Sequence, residues 1–417
     1  MTARKFSVSL IDQMVVSGTN FITTVLVGRT GGPDELANYA LGFTAVIIIF
    51  SVIETLVVTP YTVYANRLAG TARAAYRGAA LLQCGLLSAA AALVLAGWAL
   101  TVASGIGHPG LPPALFVLSA AIPFYILREF ARQCAFAHLD AKTAFQIDLC
   151  AGTLQIVSVG ALAAGGRLSA VTAFTAVGAA NAIASFIWLI RSRKDFVLQR
   201  DQVVADIRRN LAFGSWILAG RMAAQLNSDI FLLWLMAFVL GSKATGIFAA
   251  CMTVIHLSNP FIIGTAQVLT PRVVQAWAES GLREVQRVML KTTLFLGIAL
   301  SGFCIGIFLF GEELLRLFYG SQYEGSHYII MALSFSVLSF VLGLPASCGL
   351  FALERPDGNL KANLVGIFLT ASVASALVFR FGIIGVVCGL LCGQIGASAV
   401  RWRIFTREAA KQTALRN

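Results

Sequence analysis

About a dozen apolar stretches run along the chain, and each is long enough to cross a lipid bilayer, which takes roughly 20 mostly apolar residues. The approximate spans are 8–28, 36–64, 78–104, 112–136, 144–164, 170–190, 210–240, 244–270, 289–310, 327–352, 361–380 and 383–405. A segment in hydrocarbon must satisfy its own backbone hydrogen bonds, and stretches of this length do so as helices. The sequence therefore predicts an all-α integral membrane protein with about 12 transmembrane helices.

Composition excludes a soluble enzyme. Hydrophobic residues make up 58% of the chain and charged residues 12%, with a mean hydropathy of +0.81. A soluble domain carries about 25% charged residues. No loop is long enough for a separate soluble domain, and the GxxxxGK[ST], HExxH and GxSxG signatures are absent from the sequence. We therefore expect a protein that is not an enzyme and needs no cofactor.

The net charge of +12 follows membrane topology. If the N-terminus is cytoplasmic, most Lys and Arg fall in the inner segments and few in the outer loops, which is the positive-inside pattern. We therefore expect a multi-pass protein of the bacterial inner (plasma) membrane, with both termini in the cytoplasm. The basic charge is explained by topology, so no nucleic-acid partner is expected.

The two halves of the chain resemble each other. The polar segment 191–210 separates six predicted helices from six. Gly32 and Gly241 begin similar turns 209 residues apart, and Thr59 and Thr270, each followed by proline, are 211 apart. An even number of helices per half predicts two parallel repeats that form two lobes around a central cavity. The predicted lobes are residues 1–195 and 210–417, and the predicted cytoplasmic linker between them is residues 196–209.

Polar residues inside the spans are costly and usually face a cavity or a partner. In span 1 such residues recur on one helical face: Gln13, Ser17, Asn20 and Thr24. They are equally consistent with a cavity wall and with ordinary hydrogen bonds between helices.

Span 4 places Arg128, Glu129 and Arg132 on one face. Two guanidinium groups one turn apart suit a phosphate ligand. Alternatively, Glu129 neutralises one arginine and Arg132 extends to the inner interface. We favour binding, because Arg128 is the deeper of the two.

Span 7 also carries polar residues on one face: Arg221, Gln225, Ser228 and Asp229. The offset of 209 pairs Arg221 with Asp12 and Asp229 with Asn20, as expected for residues that line one shared cavity. The alternative is an Arg221–Asp229 pair that serves packing, but two helical turns separate its members.

Three intramembrane carboxylates are candidates for ion coupling: Asp12, Glu54 and Asp148. Glu54 and Asp148 each stand alone in their spans. Either carries a proton or sodium ion, or pairs with one of the arginines, and for each alone an ion pair is the better interpretation. No group of residues has metal-ligand spacing.

The segment SGTNFITTVLVGRTGGPDELANYALGF resembles the first two helices of the polysaccharide transporter family, the Wzx-type flippases of the multidrug/oligosaccharidyl-lipid/polysaccharide (MATE-like) superfamily. The matching residues are Gly31, Gly32, Pro33, Asp34, Glu35, Tyr39 and Ala40. Segment 127–148, Thr270-Pro271-Arg272 and Phe318-Tyr319-Gly320 are similar to the family as well.

This resemblance implies a flippase that moves undecaprenyl-diphosphate-linked oligosaccharide from the inner to the outer leaflet by alternating access. The expected binding residues are Arg128, Arg132, Arg221, Gln225, Asp229, Asn20 and Gln13. The arginines would hold the diphosphate while the lipid tail stays in the bilayer. The expected partners are the lipid-linked oligosaccharide, the bilayer and polysaccharide polymerase or export machinery.

Three alternatives remain open. A MATE-type proton- or sodium-coupled drug/cation antiporter would use the buried acids in a net negative cavity. A peptidoglycan-precursor flippase usually has two further helices. A membrane-embedded polymerase or ligase would need a large outer loop with Arg and His, whereas the longest outer segments, around 311–326, are short.

Overall fold

The computed structural model of the protein describes residues 3–105, 108, 110–138, 140–226 and 229–416. Within these residues the chain forms thirteen α-helices, one π-helical turn (Glu54–Val58) and three short 3₁₀ turns, and it has no strand. The helices are α1 (Ala3–Ile53), α2 (Thr59–Ala65), α3 (Gly70–Ala103), α4 (Pro112–Ala137), α5 (Ala141–Ala164), α6 (Ala170–Ser192), α7 (Arg200–Leu226), α8 (Asp229–Val239), α9 (Ser242–Ile255), α10 (Asn259–Ser280), α11 (Leu282–Tyr319), α12 (His327–Ala352) and α13 (Pro356–Arg416). The predicted all-α class is confirmed.

Nine helical segments in the described residues are long and apolar enough to cross a membrane. Two of them contain a break at a glycine. α1 is interrupted at Gly32 (φ 78°, ψ −176°), and α13 at Gly382 (φ 57°, ψ −133°). Because residues with a side chain avoid these backbone angles, glycine ends one helix and allows the next to begin. Each break falls between two predicted spans.

The predicted span 210–240 is divided between α7 and α8, and the predicted span 244–270 is interrupted by a 3₁₀ turn at His256–Ser258. The number of twelve spans therefore stays a prediction. Large apolar side chains point away from the protein along these helices. Phe379 is 80% exposed and Leu93 is 75% exposed, which suits contact with lipid.

The chain divides into two compact units, Met1–Gln225 and Leu226–Asn417. In the first unit, α4 packs against α3 and α6, and α1 packs against α5. Small residues permit the close approach, because a Cβ on Gly178 would overlap Ala121 and one on Gly42 would overlap Phe174. This unit includes α7, most of which lies beyond the predicted linker. The predicted lobe boundaries 1–195 and 210–417 therefore stay a proposal.

The second unit is built around α12 and α13. Gly343 lies against Ser398, and Gly349 lies against Phe405, so small residues again set the helix spacing. Gly241, at the start of α9, has φ 82° and ψ −176°, nearly the angles of Gly32. The two positions matched by the 209-residue offset thus share an unusual backbone conformation.

Candidate functional site

A network of five charged side chains lies inside the first unit, where α1, α4 and α5 meet. The guanidinium of Arg132 donates from Nε to Asp148 at 2.6 Å, from Nη2 to Asp12 at 3.1 Å and from Nη1 to Glu129 at 3.4 Å. Arg128 donates from Nη2 to the other oxygen of Asp148. Arg132 also lies over the ring of Phe136, with 5.1 Å from its central carbon to the ring centroid. One arginine therefore holds acids from three helices.

The network is buried and contains more acids than bases. The side chains of Asp12 and Asp148 have no exposed surface, and those of Arg128 and Arg132 are 15% and 13% exposed. Buried charges are tolerated when they are paired. With Glu129 included, three carboxylates face two guanidinium groups. When all five are ionised, the network carries one net negative charge.

Two polar atoms of the network have no hydrogen-bond partner among the described residues: Nε of Arg128 and Oδ1 of Asp12. Arg128 and Asp148 also line a small polar cavity with Thr19, Asn20 and Gln155. The cavity has room for about one water molecule. The network therefore has unused polar capacity beside a space that a water molecule or small cation would fit.

The polar face of span 1 divides between two roles. Gln13 accepts a hydrogen bond from Arg132 at 3.4 Å, and Asn20 lines the small cavity, so both belong to the network region. Ser17 accepts from Gln13 at 3.3 Å, while the Thr24 hydroxyl donates to the backbone oxygen of Asn20 in its own helix. The predicted face is thus partly a cavity wall and partly internal hydrogen bonding.

A second charged group of the first unit lies where α7 meets the π-helical turn. Arg221 donates to Glu54 through two parallel hydrogen bonds of 3.0 and 2.6 Å, and Gln225 donates to the Ser51 hydroxyl at 2.9 Å. The side chains of Arg221 and Glu54 are 42% and 41% exposed. Unlike the buried network, this pair is accessible.

The depth of the pair follows from helix geometry. Glu54 lies eleven residues before the end of α2 at Ala65, which is about 17 Å at 1.5 Å per residue. The apolar core of a bilayer is roughly 30 Å thick. Glu54 therefore lies inside the candidate span Ile11–Ala65, away from its end. Exposed charges at that depth require water or a polar ligand.

In the second unit, Oδ2 of Asp229 lies 3.5 Å from Nε2 of His256, at the break between α9 and α10. Within the first unit, the carboxylate partner of Arg221 is Glu54. Ser228 lies outside the described residues. A cavity shared by Arg221 and Asp229 stays a prediction.

Sequence reasoning missed two buried polar groups. Arg401 lies inside the predicted span 383–405, where it is 6% exposed and donates to Asn363 at 2.6 Å. Its position inside the last apolar stretch was the signal that could have identified it. The second group joins α7 to α3: Asn210 accepts from Tyr76 at 2.7 Å and donates to Gln83 at 2.9 Å. A single buried asparagine in a polar segment gives no such signal.

Comparisons with known proteins identify the family. A family described as polysaccharide biosynthesis protein matches residues 81–327, more than half of the chain. Capsular polysaccharide biosynthesis protein CapF of Staphylococcus aureus is 25% identical over 170 residues, which cover 40% of this chain. The match spans only 42% of the length of CapF.

Solved structures identify the fold. An inward-facing structure of a multidrug resistance MATE family transporter of the MOP superfamily has a TM-score of 0.79 and 15% identity, and the match covers 96% of each chain. A MOP superfamily transporter from Pyrococcus furiosus, described as having a binding pocket of reverse polarity, has a TM-score of 0.65 and 17% identity over 98% of this chain and 94% of that one. At such identities the likeness establishes the fold.

The family is one of polysaccharide biosynthesis proteins, and the fold is that of MATE family transporters. They confirm the resemblance to the Wzx-type polysaccharide transporter family stated above. The chain belongs to the polysaccharide biosynthesis protein family and is a multi-pass membrane protein with a MATE-like fold.

Proposed function

We propose that the protein is a flippase that moves an oligosaccharide linked to undecaprenyl diphosphate from the inner to the outer leaflet by alternating access. The family description and the likeness to CapF support handling of a polysaccharide precursor, and the fold supports transport. The lipid tail would remain in the bilayer while the charged headgroup crosses through the protein.

The observation that carries the proposal is the exposed Arg221–Glu54 pair, whose Glu54 lies inside a candidate membrane span. A guanidinium offers a planar pair of donors that fits a phosphate in two-point contact. Glu54 fills this position in the structure, so a diphosphate would bind Arg221 by displacing a carboxylate of the protein. Gln225, one helical turn along α7, supplies a neutral donor beside it. Return of Glu54 to Arg221 would then favour release of the headgroup.

The buried network is proposed to bind the coupling ion and not the diphosphate that the sequence predicts for Arg128 and Arg132. Arg128 and Arg132 are only 15% and 13% exposed and are paired with fully buried acids, which makes them poorer receptors for a diphosphate than the accessible Arg221. The excess carboxylate among Asp12, Asp148 and Glu129 would be neutralised by one proton or sodium ion. We assign the coupling ion to Asp12 and Asp148, with Gln13 and Asn20 as neighbouring polar groups.

The experiment is transport of a fluorescent lipid-diphosphate oligosaccharide in proteoliposomes that contain the purified full chain. The Arg221→Gln variant should lose most of the flipping, because it removes the accessible guanidinium. Arg316→Gln is the matched control, since Arg316 is 72% exposed at the end of α11 and paired loosely with Glu324 at 3.6 Å. Wild-type flipping by the Arg221→Gln variant would refute the assigned binding role.

The excess of acid in the buried network favours one second candidate, a proton- or sodium-coupled antiporter of cationic compounds. The Glu54→Gln variant separates the two functions. A flippase should keep headgroup binding in this variant, because Arg221 becomes free, but it should release the headgroup more slowly. An antiporter that binds its cation at Glu54 should lose transport of a fluorescent cation in the same proteoliposomes, and Arg221→Gln should not impair it.

The remaining assignments also belong to this proposal. The protein would lie in the bacterial inner membrane with both termini in the cytoplasm, as the positive-inside pattern predicts. Polysaccharide polymerase or export machinery would receive the flipped product. Asp229 is kept as a candidate cavity residue of the second unit.

A further inference from the structure

A pocket outside the proposed transport site lies at the loop end of the first unit. Its volume is about 310 Å³. Its walls come from the start of α3, the connection after α4 and the segment after α6: Gly70, Arg73, Ala74, Arg77, His138, Lys194 and Asp195. None of these residues belongs to the buried network or to the Arg221–Glu54 pair.

The pocket is strongly basic. Arg73, Arg77 and Lys194 contribute three positive charges, and Asp195 contributes one negative charge. Asp195 accepts from Arg77 at 3.1 Å. No ion pair among the described side chains includes Arg73 or Lys194, and Arg73 instead donates from Nε to the backbone oxygen of Leu68 at 2.7 Å. The pocket therefore keeps two uncompensated positive charges.

Arg77 is fixed in place rather than solvated. Its side chain is 16% exposed, and its central carbon lies 4.9 Å from the centroid of the Phe196 ring. Its Nε is buried and has no hydrogen-bond partner among the described atoms. An arginine that serves only the positive-inside pattern extends into water, where its charge is screened. A guanidinium that forms the wall of a cavity costs more to desolvate and has more to gain from an anion.

The arginines of the pocket also act on the ring of His138. Its Nε2 lies 2.8 Å from the hydroxyl of Tyr61. Burial lowers the pKa of His138 below its ordinary value, and the charges of Arg77 and Arg73 lower it further. The two neighbouring guanidinium groups thus add to burial in disfavouring a positive charge on His138.

We propose that this pocket binds the phosphate group of a small phosphate ester or of an anionic phospholipid headgroup. Two guanidinium groups and one ammonium around a cavity of this size match a phosphate, which accepts several charge-assisted hydrogen bonds at once. Asp195 lowers the affinity of the pocket for phosphate, because its ion pair with Arg77 competes with the ligand. The site is distinct from the transport site and does not depend on the function proposed above.

The test measures binding to the purified full chain in two arms. In the first, the protein in neutral detergent is titrated with inorganic phosphate by calorimetry. In the second, the protein is placed in nanodiscs of phosphatidylcholine with or without phosphatidylglycerol, and the lipids that it retains are counted by native mass spectrometry. Binding in the first arm identifies a soluble phosphate ligand, and selective retention in the second identifies a lipid headgroup.

Variants make the assignment specific to the pocket. Arg73→Gln and Lys194→Gln should each weaken binding about tenfold, the size of one charge-assisted hydrogen bond at a partly exposed site. Asp195→Asn should strengthen it, because it releases Arg77. Lys142→Gln is the matched control, since Lys142 is exposed at the start of α5 and does not line the pocket.

The proposal is supported if binding in either arm falls in Arg73→Gln and Lys194→Gln and is unchanged in Lys142→Gln. It is overturned if neither arm shows saturable binding, or if all three variants behave alike. Because Lys194 is exposed, its replacement should leave folding intact, which a melting curve of each variant verifies.

Discussion

Removing the arginine at the centre of the buried network should destabilise the first unit strongly. In the Arg132→Gln variant, Asp148 keeps the guanidinium of Arg128, whereas Asp12 loses its arginine. Asp12 is fully buried, so the variant leaves one carboxylate without a cation in a low-dielectric interior. Breaking a buried ion pair on one side costs about 3–5 kcal/mol.

The size of this loss can be tested by restoring the charge balance. The double variant Arg132→Gln with Asp12→Asn removes the unpaired carboxylate, so it should recover most of the lost stability. The assay is reversible unfolding in mixed detergent micelles, with the free energy of unfolding compared among the variants. Arg316→Gln serves as the control and should change stability by less than about 0.5 kcal/mol, because its ion pair is exposed.

Two results would refute this reasoning. A loss of less than about 1 kcal/mol in Arg132→Gln would mean that Asp12 is not an unpaired buried charge in the variant. A double variant no more stable than the single one would mean that the loss comes from packing of the Arg132 side chain and not from its charge.

Three further predictions concern other parts of the fold. His138 has a lowered pKa because of burial and the neighbouring arginines. The folded protein should therefore lose stability as pH falls below about 6.5, where the unfolded chain binds the proton more readily. In the His138→Gln variant, the melting temperature should fall less between pH 7 and pH 5 than it does in the wild type. Gly241→Ala should cost about 1–3 kcal/mol, since its φ of 82° with ψ of −176° suits only glycine, whereas Gly264→Ala, which meets open space in a regular helix, should not destabilise the protein. Asn210→Ala should cost about 1–3 kcal/mol by leaving the buried hydroxyl of Tyr76 without its acceptor, and equal unfolding free energies of the variant and the wild type would contradict this.

The sequence located the helices well because their signal is local. Apolar length and the glycine turns marked the helices on either side of Gly32, and the angles of Gly241 agree with the repeat. The identity of the intramembrane charges was also readable, since few charged residues occur in the spans. Apolar length, turn glycines and the charges within a span are all read from neighbouring residues in the chain.

The pairing of those charges could not be read from the sequence. Asp12 and Arg132 are 120 residues apart, and whether they meet depends on how α1 and α4 are rotated about their axes. Helical periodicity gives a face but not the helix that it contacts. The same limit explains why the sequence predicts that Glu54 pairs with an arginine but does not identify Arg221 as its partner. Helix rotation is set by packing of small residues such as Gly178, which the sequence alone does not reveal.

The π-helical turn at Glu54–Val58 has a consequence for how this segment tolerates change. The π-helical turn contains one residue more than an α-helical turn. The helix after it is therefore oriented as it would be if the chain were one residue shorter and formed an ordinary α-helical turn here. Deleting Val57 would convert the wide turn to an ordinary one and leave Tyr61 directed at His138. The same deletion one turn later would swing every following side chain by about 100° around the axis. The π-helical turn is therefore the place in this helix where a one-residue deletion should be tolerated.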